Sequence, residues 1–364
     1  MIVSVIYFIL FFGIFLVVLV LQATTKVEPL VREVASTPFV SILIAVRNEE
    51  HNIIRCLQSI SQLSYPADKL EILLGEDAST DNTYALIQEY IRDKPNFTCL
   101  PIREKLGQAK GKGNVLAHLT RNAKSNYFFI TDADIAVPPH WIQNMLAGLK
   151  KEPGVVTGIT TIAGNRFFDR MQALDWINAL GLMQVISDLK LPVSTMGNNM
   201  LITRQAYEET GGYENLPFSV TEDIQLFREV LKKKYGFINI FNAGVLARST
   251  PLPNWLALLH QRKRWMQGTR YLPWYMGVIL VIYSSFYYFC FPFAAHTSIN
   301  FVIAIFLGKL IFQTWFIYKC LQRLSLRMPL WNLLIYEIYV IFVSVTTIFF
   351  FLLPFKVRWK ERKY

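Results

Sequence analysis

The first 25 residues constrain the fold most, because they carry no charged side chain. A helix of about 20 apolar residues crosses the hydrocarbon core of a bilayer, and this segment is long enough. No basic residue precedes it and no small-residue cleavage pattern leads up to Lys26, so it lacks the features of a cleaved signal peptide. We therefore predict that residues 1–25 form a transmembrane helix.

Two further apolar blocks follow a polar middle region that ends near Arg270. Lys309 is the only charged residue in the block 271–318, and Glu337 is the only one in the block 328–355. Together they make the region 272–355 long enough for two to three spans after the middle region.

Basic residues predict the orientation, because they are retained on the cytoplasmic side of a membrane. Basic side chains flank the middle region at both ends, at Lys26, Arg32, Arg262, Lys263, Arg264 and Arg270. The protein is therefore expected in the cell membrane as a multi-pass protein with a cytoplasmic middle domain. Four full spans would put the basic tail 356–364 outside, so one span is expected to be incomplete. The aromatic stretch 272–291 is the candidate for an interfacial or re-entrant segment.

The net charge of +11 is concentrated beside the membrane segments, which indicates attraction to anionic lipid rather than binding of nucleic acid. The four cysteines, Cys56, Cys99, Cys290 and Cys320, have neither zinc-site nor disulfide-framework spacing. Reduced thiols are consistent with a cytoplasmic domain.

The middle region alternates apolar runs of strand length with helical patterns, which predicts an α/β domain with a mostly parallel sheet covered by helices. Strands are expected at 39–46, 71–75, 97–102, 127–131 and 154–161, and helices at 49–63, 81–92, 108–123, 166–188 and 224–234. Ligands of such sheets bind at the carboxyl ends of the strands. Acidic clusters follow three of these strands, at 47–50, 76–81 and 132–134, and are expected to meet at one edge.

Asp132 and Asp134 follow the strand 127–131. A two-residue step on an extended chain points both carboxylates the same way, as binding of Mg²⁺ or Mn²⁺ and a diphosphate requires. The structural alternative is a turn with solvated carboxylates. Asp77 ends another strand, where an acidic group can bind a base or ribose, and Glu49 lies in the first cluster. Lys112 can contact phosphate as a point charge, although the glycine spacing of a P-loop is missing.

The segment 219–222 fits a capping box, with Ser219 as the cap and Glu222 three residues later. That explains Glu222 structurally and leaves Asp223 available as a general base. Gln261, Arg264 and Trp265 share one face of a helix that precedes the membrane. They could contact a diphosphate and a sugar, or form a membrane-surface helix.

In order and setting, these motifs resemble the membrane-embedded family 2 glycosyltransferases of the GT-A fold, such as ceramide glucosyltransferases and cellulose, chitin and hyaluronan synthases. The resemblance covers residues 40–268 and includes the opening strand, Asp77, the Asp132–Asp134 metal motif, the 221–223 base motif and the QxxRW motif at 261–265. It implies a GT-A domain at 38–250, an interfacial helix at 251–271, a transmembrane region at 272–355 and a basic tail.

The resemblance also implies a mechanism and its roles. Asp223 would be the base and Arg264 would stabilise the leaving group in an inverting displacement. Glu49, Asp77, Lys112, Asp132, Gln261 and Trp265 would bind the nucleotide sugar, implied to be a UDP-sugar, and Asp132 and Asp134 the metal. The few spans favour a membrane lipid as the acceptor. The alternatives are a processive polysaccharide synthase and a non-enzymatic transporter or scaffold.

Overall fold

The computed structural model describes residues 2–26, 28–32, 37–149, 153–217, 219, 221–354, 358–359 and 362–363, with the side chains of 270, 291 and the tail left out. Ten strands lie in the middle region within these residues: β1 (Val40–Val46), β2 (Leu70–Glu76), β3 (Phe97–Pro101), β4 (Tyr127–Asp132), β5 (Ile135–Ala136), β6 (Pro153–Thr157), β7 (Thr160–Ile162), β8 (Asn199–Thr203), β9 (Gly236–Asn239) and β10 (Ala247–Ser249).

The main sheet has seven strands in the order β3-β2-β1-β4-β8-β6-β9 among the described residues. The β1–β2, β1–β4, β2–β3 and β6–β9 pairs are parallel, whereas β8 is antiparallel to both neighbours. The central strand β1 is almost entirely buried, because helices cover both faces of the sheet. The predicted mostly parallel α/β fold is confirmed.

Helices connect the strands: α2 (Ile53–Ser61), α3 (Thr83–Ile91), α4 (Lys112–Asn122), α5 (Trp141–Gly148), α6 (Phe167–Asp188), α7 (Arg204–Glu209), α8 (Gly212–Asn215), α9 (Glu222–Lys232) and α10 (Trp255–Gly268). Short 3₁₀ turns occupy Ala67–Lys69, Ala243–Val245 and Thr269–Tyr271. The carboxyl ends of β1, β2 and β4 lie side by side, since Ala45 is in register with Asp132 and Val46 with Glu76. The acidic clusters after these strands therefore start from one edge of the sheet.

The expected strand 154–161 is wrong, because the chain breaks there into β6 and β7. β6 stays in the main sheet, and β7 joins β5 and β10 in a second sheet of order β5-β10-β7. Gly158 lies at the break, where a Cβ would be 2.4 Å from Asn199 Oδ1. The buried Asn199 amide donates to the carbonyls of Ile159 and Val245, each at 2.8 Å, and so fixes the segment that leaves the main sheet.

Three helices of the described chain are long and apolar enough to cross a membrane: α1 (Ile2–Thr24), α13 (Ile299–Arg323) and α14 (Leu330–Leu352). A fourth candidate consists of α11 (Trp274–Ser284) and α12 (Phe286–Ala294), which bend by 44° at their junction. This pair runs alongside α1 in the opposite direction. It starts near the domain, where Tyr275 donates to the Pro192 carbonyl, and it ends where Phe293 packs on Phe8.

The two charged residues in the middle of the apolar helices α13 and α14 pair with each other. Lys309 of α13 and Glu337 of α14 form an ion pair, and both side chains are almost completely buried. Tyr287 of α12 donates a hydrogen bond to Glu337, and the Lys309 ammonium lies 5.2 Å from the centre of the Phe286 ring. One charged pair thus joins the bent helices to α13 and α14.

Part of the basic tail lies outside the described residues, including Lys356, Lys360 and Glu361. The described parts form a two-stranded antiparallel ladder of β11 (Arg358–Trp359) and β12 (Arg362–Lys363). β11 lies against α10, so the tail ends on the side of the chain that carries the domain.

Candidate active site

Glu49 and Asp77 follow β1 and β2 at the shared edge. The Glu49 side chain is buried and accepts a hydrogen bond from Asn52 at 2.7 Å. The backbone N–H of Asp77 donates to the Val46 carbonyl at 2.9 Å, which ties the ends of the two strands together. Asp77 remains partly exposed at the opening of the edge, the position expected for a group that binds a base or ribose.

Asp132 and Asp134 are not joined by an extended segment. β4 ends at Asp132, and a turn through Ala133 and Asp134 leads into β5 of the second sheet, so the expected two-residue extended step is wrong. Asp132 forms an ion pair with Lys112 at 2.5 Å, whereas Asp134 Oδ2 accepts a hydrogen bond from Ser249 Oγ at 3.0 Å. Burial raises the pKa of Asp134 to about 6, and the nearby Asp132 adds to this shift.

These two carboxylates fit a hard divalent cation. Repulsion between adjacent carboxylates is relieved by a cation, and both groups offer the oxygen ligands that Mg²⁺ and Mn²⁺ prefer. The described residues contain no group of three or more His, Cys, Asp or Glu side chains that could hold a metal. A metal at Asp132 and Asp134 would therefore take its other ligands from water and substrate phosphates, as Mg²⁺ commonly does.

Lys112 lies at the centre of a charged cluster that it forms with Asp132, Glu222 and Asp223. It is the first residue of α4, and its ammonium contacts Asp132 at 2.5 Å, Glu222 at 3.5 Å and the Gly197 carbonyl at 3.3 Å. Although burial lowers the pKa of Lys112, the Asp132 and Glu222 carboxylates raise it above its ordinary value. The protonated amine thus connects three segments that are far apart in the sequence.

The capping box predicted at 219–222 is wrong. α9 begins at Glu222 with Thr221 as its N-cap and no side-chain cap, while Ser219 Oγ accepts from the Thr221 N–H at 3.1 Å. Glu222 instead faces Lys112. Burial raises the pKa of Glu222, Lys112 opposes that shift, Asp223 adds to it and Arg264 lowers it. Glu222 therefore belongs to the site electrostatically.

Asp223 is held by backbone groups on both of its carboxylate oxygens. Oδ2 accepts from the Gly197 N–H at 2.9 Å, and Oδ1 accepts from the Ile224 N–H at 2.9 Å. A Cβ on Gly197 would lie 2.7 Å from Asp223 Cβ, so only glycine allows this approach. Each oxygen retains a lone pair for a substrate hydroxyl. The geometry suits a fixed base.

The helix α10 brings the QxxRW residues to the same cluster. Its last residue, Gly268, is packed so closely that a Cβ would lie 3.0 Å from Thr221 Cγ2, at the start of α9. Arg264 is close enough to Glu222 to influence its pKa. Gln261 Oε1 is buried and has no hydrogen-bond partner among the described residues. The structure thus places Gln261 and Arg264 on a helix that ends at the site.

Trp265 is packed by protein groups. Its ring meets that of Trp176 edge-on at 5.3 Å between centres, and the Arg262 guanidinium lies 4.6 Å from its centre. Arg262 is in turn paired with Asp175 of α6. These contacts favour a role for Trp265 in fixing α10 against α6 over stacking on a sugar.

Two members of the cluster were not singled out from the sequence. The capping pattern accounts for Glu222 without a role in the site, and Gly197 lies in a stretch of glycine and amide residues, 196–200, to which the sequence motifs assign no role. A signal for Gly197 existed in that stretch, because glycine is expected where another group approaches the backbone closely. No local signal exists for Ser249, which reaches Asp134 only through the second sheet.

Comparison with known proteins shows which family has a sequence like this one. The family model described as glycosyl transferase family 21 matches residues 5–364. A β-monoglucosyldiacylglycerol synthase of Nostoc sp. is 26% identical over 246 residues, which cover 66% of this chain and 51% of the relative. A poly-β-1,6-N-acetyl-D-glucosamine synthase of Staphylococcus aureus is 26% identical over 63% of this chain and 54% of its own length. The chain thus spans about half the length of these curated relatives.

The fold also has a solved counterpart. The mannosyltransferase PcManGT from Pyrobaculum calidifontis, solved in complex with GDP-Man and Mn²⁺, matches with a TM-score of 0.62 over 95% of this chain and 97% of its own. At 19% sequence identity, this match shows that the two chains share their fold.

Proposed function

The chain belongs to glycosyl transferase family 21, and on that premise we propose that it transfers a sugar from a nucleotide sugar to a membrane lipid with inversion at the anomeric carbon. One observation carries the proposal. Lys112, Asp132 and the adjacent pair Glu222 and Asp223 come from three separate segments, yet they meet at the carboxyl edge of the sheet, where such folds bind their ligands. Family membership favours an enzyme over a transporter or scaffold.

The donor would bind across this edge. Asp77 and Glu49 lie where the base and ribose would enter, and Lys112 lies beside the position of the diphosphate. Mg²⁺ or Mn²⁺ at Asp132 and Asp134 would supply positive charge to the diphosphate. The fold shared with a mannosyltransferase that binds GDP-Man and Mn²⁺ supports a nucleoside diphosphate sugar and a divalent metal as the ligand classes. We expect UDP as the nucleotide.

Asp223 would remove the proton from the acceptor hydroxyl. Its carboxylate is already oriented by the Gly197 and Ile224 N–H groups, so little reorganisation is needed when the acceptor arrives. Arg264 would stabilise the negative charge of the departing diphosphate. Gln261 lies on the same helix, and we place it beside the sugar of the donor, whereas Trp265 holds α10 against α6.

A lipid acceptor is supported by the surroundings of α10. This helix connects the site to the apolar helices, because Trp255 packs on Phe342 of α14 and Lys263 donates to the Leu353 carbonyl. The basic residues that flank the domain support a position on the cytoplasmic face of the cell membrane, in a multi-pass protein. The tail lies against α10 and would therefore be on the cytoplasmic side.

The test is direct. Purified protein in detergent is incubated with Mn²⁺ or Mg²⁺, radiolabelled UDP- and GDP-sugars and extracted host lipid, and the products are identified by mass spectrometry. We expect one sugar on a lipid, formed only when a divalent metal is present.

A polymer is the second candidate product, because the relatives include a poly-β-1,6-N-acetyl-D-glucosamine synthase. Product length in the same assay separates the two: labelled material that stays at the origin of a lipid chromatogram and grows with time would replace the lipid proposal. No transfer from any nucleotide sugar would reject both candidates.

A further inference from the structure

Tyr213 is a buried tyrosine beside the charged cluster with no function in the mechanism above. It lies in the short helix α8, whose N-cap, Gly211 at φ 85°, and first residue, Gly212 at φ 64°, are both in the left-handed region. Its side chain packs against the first turn of α4, since a Cβ on Gly113 would lie 3.7 Å from Tyr213 Cδ1 and 3.9 Å from Glu222 Cβ. Tyr213 and Glu222 therefore flank the residue next to Lys112.

The Tyr213 hydroxyl has no hydrogen-bond partner within the part of the chain that the structure describes, although the residue is only 3% exposed. A buried donor without a partner is costly, and such groups are rare in folded proteins. The neighbouring Tyr207, by contrast, has hydrogen-bond partners for its buried hydroxyl within the protein. Its hydroxyl accepts from Thr120 and from the Tyr213 N–H and donates to Glu214, at 3.0–3.2 Å.

The surroundings of the hydroxyl keep it a donor. Burial raises the pKa of Tyr213 well above its ordinary value, and the Glu222 carboxylate is the largest charged contribution in the same direction. A protonated hydroxyl in this position can donate to an anionic ligand but cannot easily ionise.

The first turn of α4 favours an anion at this position. α4 has 11 residues, and its N-cap is Gly111, at φ 56°, with no side-chain cap. The N-terminal N–H groups of a helix attract phosphate, and Lys112 adds a positive charge at the same end. The unpartnered buried hydroxyl is an independent second sign of a ligand there.

We infer that the Tyr213 hydroxyl donates a hydrogen bond to the diphosphate of the bound sugar nucleotide. This inference rests on the proposed function, because it needs a nucleoside diphosphate at the edge of the sheet. Tyr213 would add a phosphate contact to that of Lys112. Its buried hydroxyl would gain a hydrogen-bond acceptor only when the ligand is bound, so the free-energy cost of the unpartnered donor would be present only in the free enzyme. Free enzyme and ligand complex should therefore respond in opposite directions to loss of the hydroxyl.

The experiment compares Tyr213→Phe with Tyr207→Phe in the full-length protein in detergent. Binding of UDP, GDP and uridine in the presence of Mn²⁺ is measured by calorimetry, and unfolding is followed by scanning fluorimetry. For Tyr213→Phe we expect a melting temperature no lower than that of the wild type and about tenfold weaker binding of the nucleoside diphosphate, with uridine binding unchanged. For Tyr207→Phe we expect a lower melting temperature and nucleotide binding within twofold of the wild type.

Three results would overturn the inference. Nucleoside diphosphate binding within twofold of the wild type in Tyr213→Phe would show that the hydroxyl does not contact the ligand. Equal weakening for uridine would place the contact away from the diphosphate. A fall in melting temperature as large as that of Tyr207→Phe would show that the hydroxyl has a partner inside the protein. If the wild type binds neither UDP nor GDP, the proposed function fails and this inference fails with it.

Discussion

Lys112 and Lys309 are both lysines removed from most of the solvent and paired with carboxylates, but their surroundings differ in charge balance. Lys309 faces one carboxylate, Glu337, and aromatic rings surround the pair. Lys112 contacts two carboxylates, Asp132 and Glu222, and Asp223 also contributes to its pKa. The apolar helices thus hold a balanced pair, whereas the sheet edge holds an excess of negative charge.

The difference separates a structural pair from a ligand site. A balanced pair in an apolar setting has no uncompensated charge, and its role is to join α13 and α14. An excess of carboxylates is costly unless cations and a ligand complete it, which is expected at active sites. Variants of one region can therefore be compared directly with variants of the other.

The largest effect is expected from Lys309→Ala. Removing one member of a buried ion pair leaves the other charge without compensation, which costs about 3–5 kcal/mol. We expect a large drop in the melting temperature of the detergent-solubilised protein, measured by scanning fluorimetry. The double variant Lys309→Met, Glu337→Leu should regain most of the lost stability, because it removes both charges and keeps the volume. A double variant as unstable as Lys309→Ala would show that the pair is not the source of the stability.

Lys112→Met is the counterpart at the sheet edge. Asp132 is 31% exposed and Glu222 19% exposed, so solvent screens the carboxylates left behind better than it screens the 1% exposed Glu337, and stability should fall by less than the roughly 3–5 kcal/mol expected for Lys309→Ala. Loss of a charged contact to the diphosphate should weaken nucleotide binding about tenfold to a hundredfold, as measured by calorimetry. Unchanged nucleotide binding together with a melting temperature as low as that of Lys309→Ala would show that Lys112 is a structural lysine. The proposed difference between Lys112 and Lys309 would then be wrong.

Gly197→Ala should have a smaller effect on activity. The added Cβ would lie 2.7 Å from Asp223 Cβ, so the carboxylate must shift, and we expect sugar transfer to slow about tenfold with little change in nucleotide affinity. Gly277→Ala in α11 is the matched control, because no heavy atom lies within 4 Å of the added group. Equal rates for the Gly197→Ala variant and the wild type would show that the position of Asp223 does not limit transfer.

Much of the fold could be predicted from the sequence. Alternating apolar runs predicted the parallel strands and the sheet edge at which Asp77 and Asp132 lie. The order of the motifs predicted a membrane-associated glycosyltransferase, and the match to family 21 confirms the glycosyltransferase and identifies its family. These features are local, or depend on order along the chain, so a single sequence can reveal them.

Features that depend on distant contacts were not predicted. The apolar run 154–161 looks continuous, and only the side chain of Asn199 shows where it leaves the main sheet. Glu222 satisfied a local capping pattern, yet its partner is Lys112, 110 positions earlier in the chain. Burial and charge at such a site depend on contacts between distant segments, such as that of Lys112 in α4 with Glu222 in α9, which periodicity and spacing do not reveal.

The most direct test of the account is the Asp223→Asn variant. Asparagine keeps the size of the side chain and can still accept the Gly197 N–H, but it cannot take a proton from an acceptor hydroxyl. We predict that transfer of labelled sugar to lipid falls about 10³-fold, within the usual range for loss of a general base, while calorimetry gives a nucleotide affinity close to that of the wild type. Full transfer activity in this variant would contradict the assignment of Asp223 as the base.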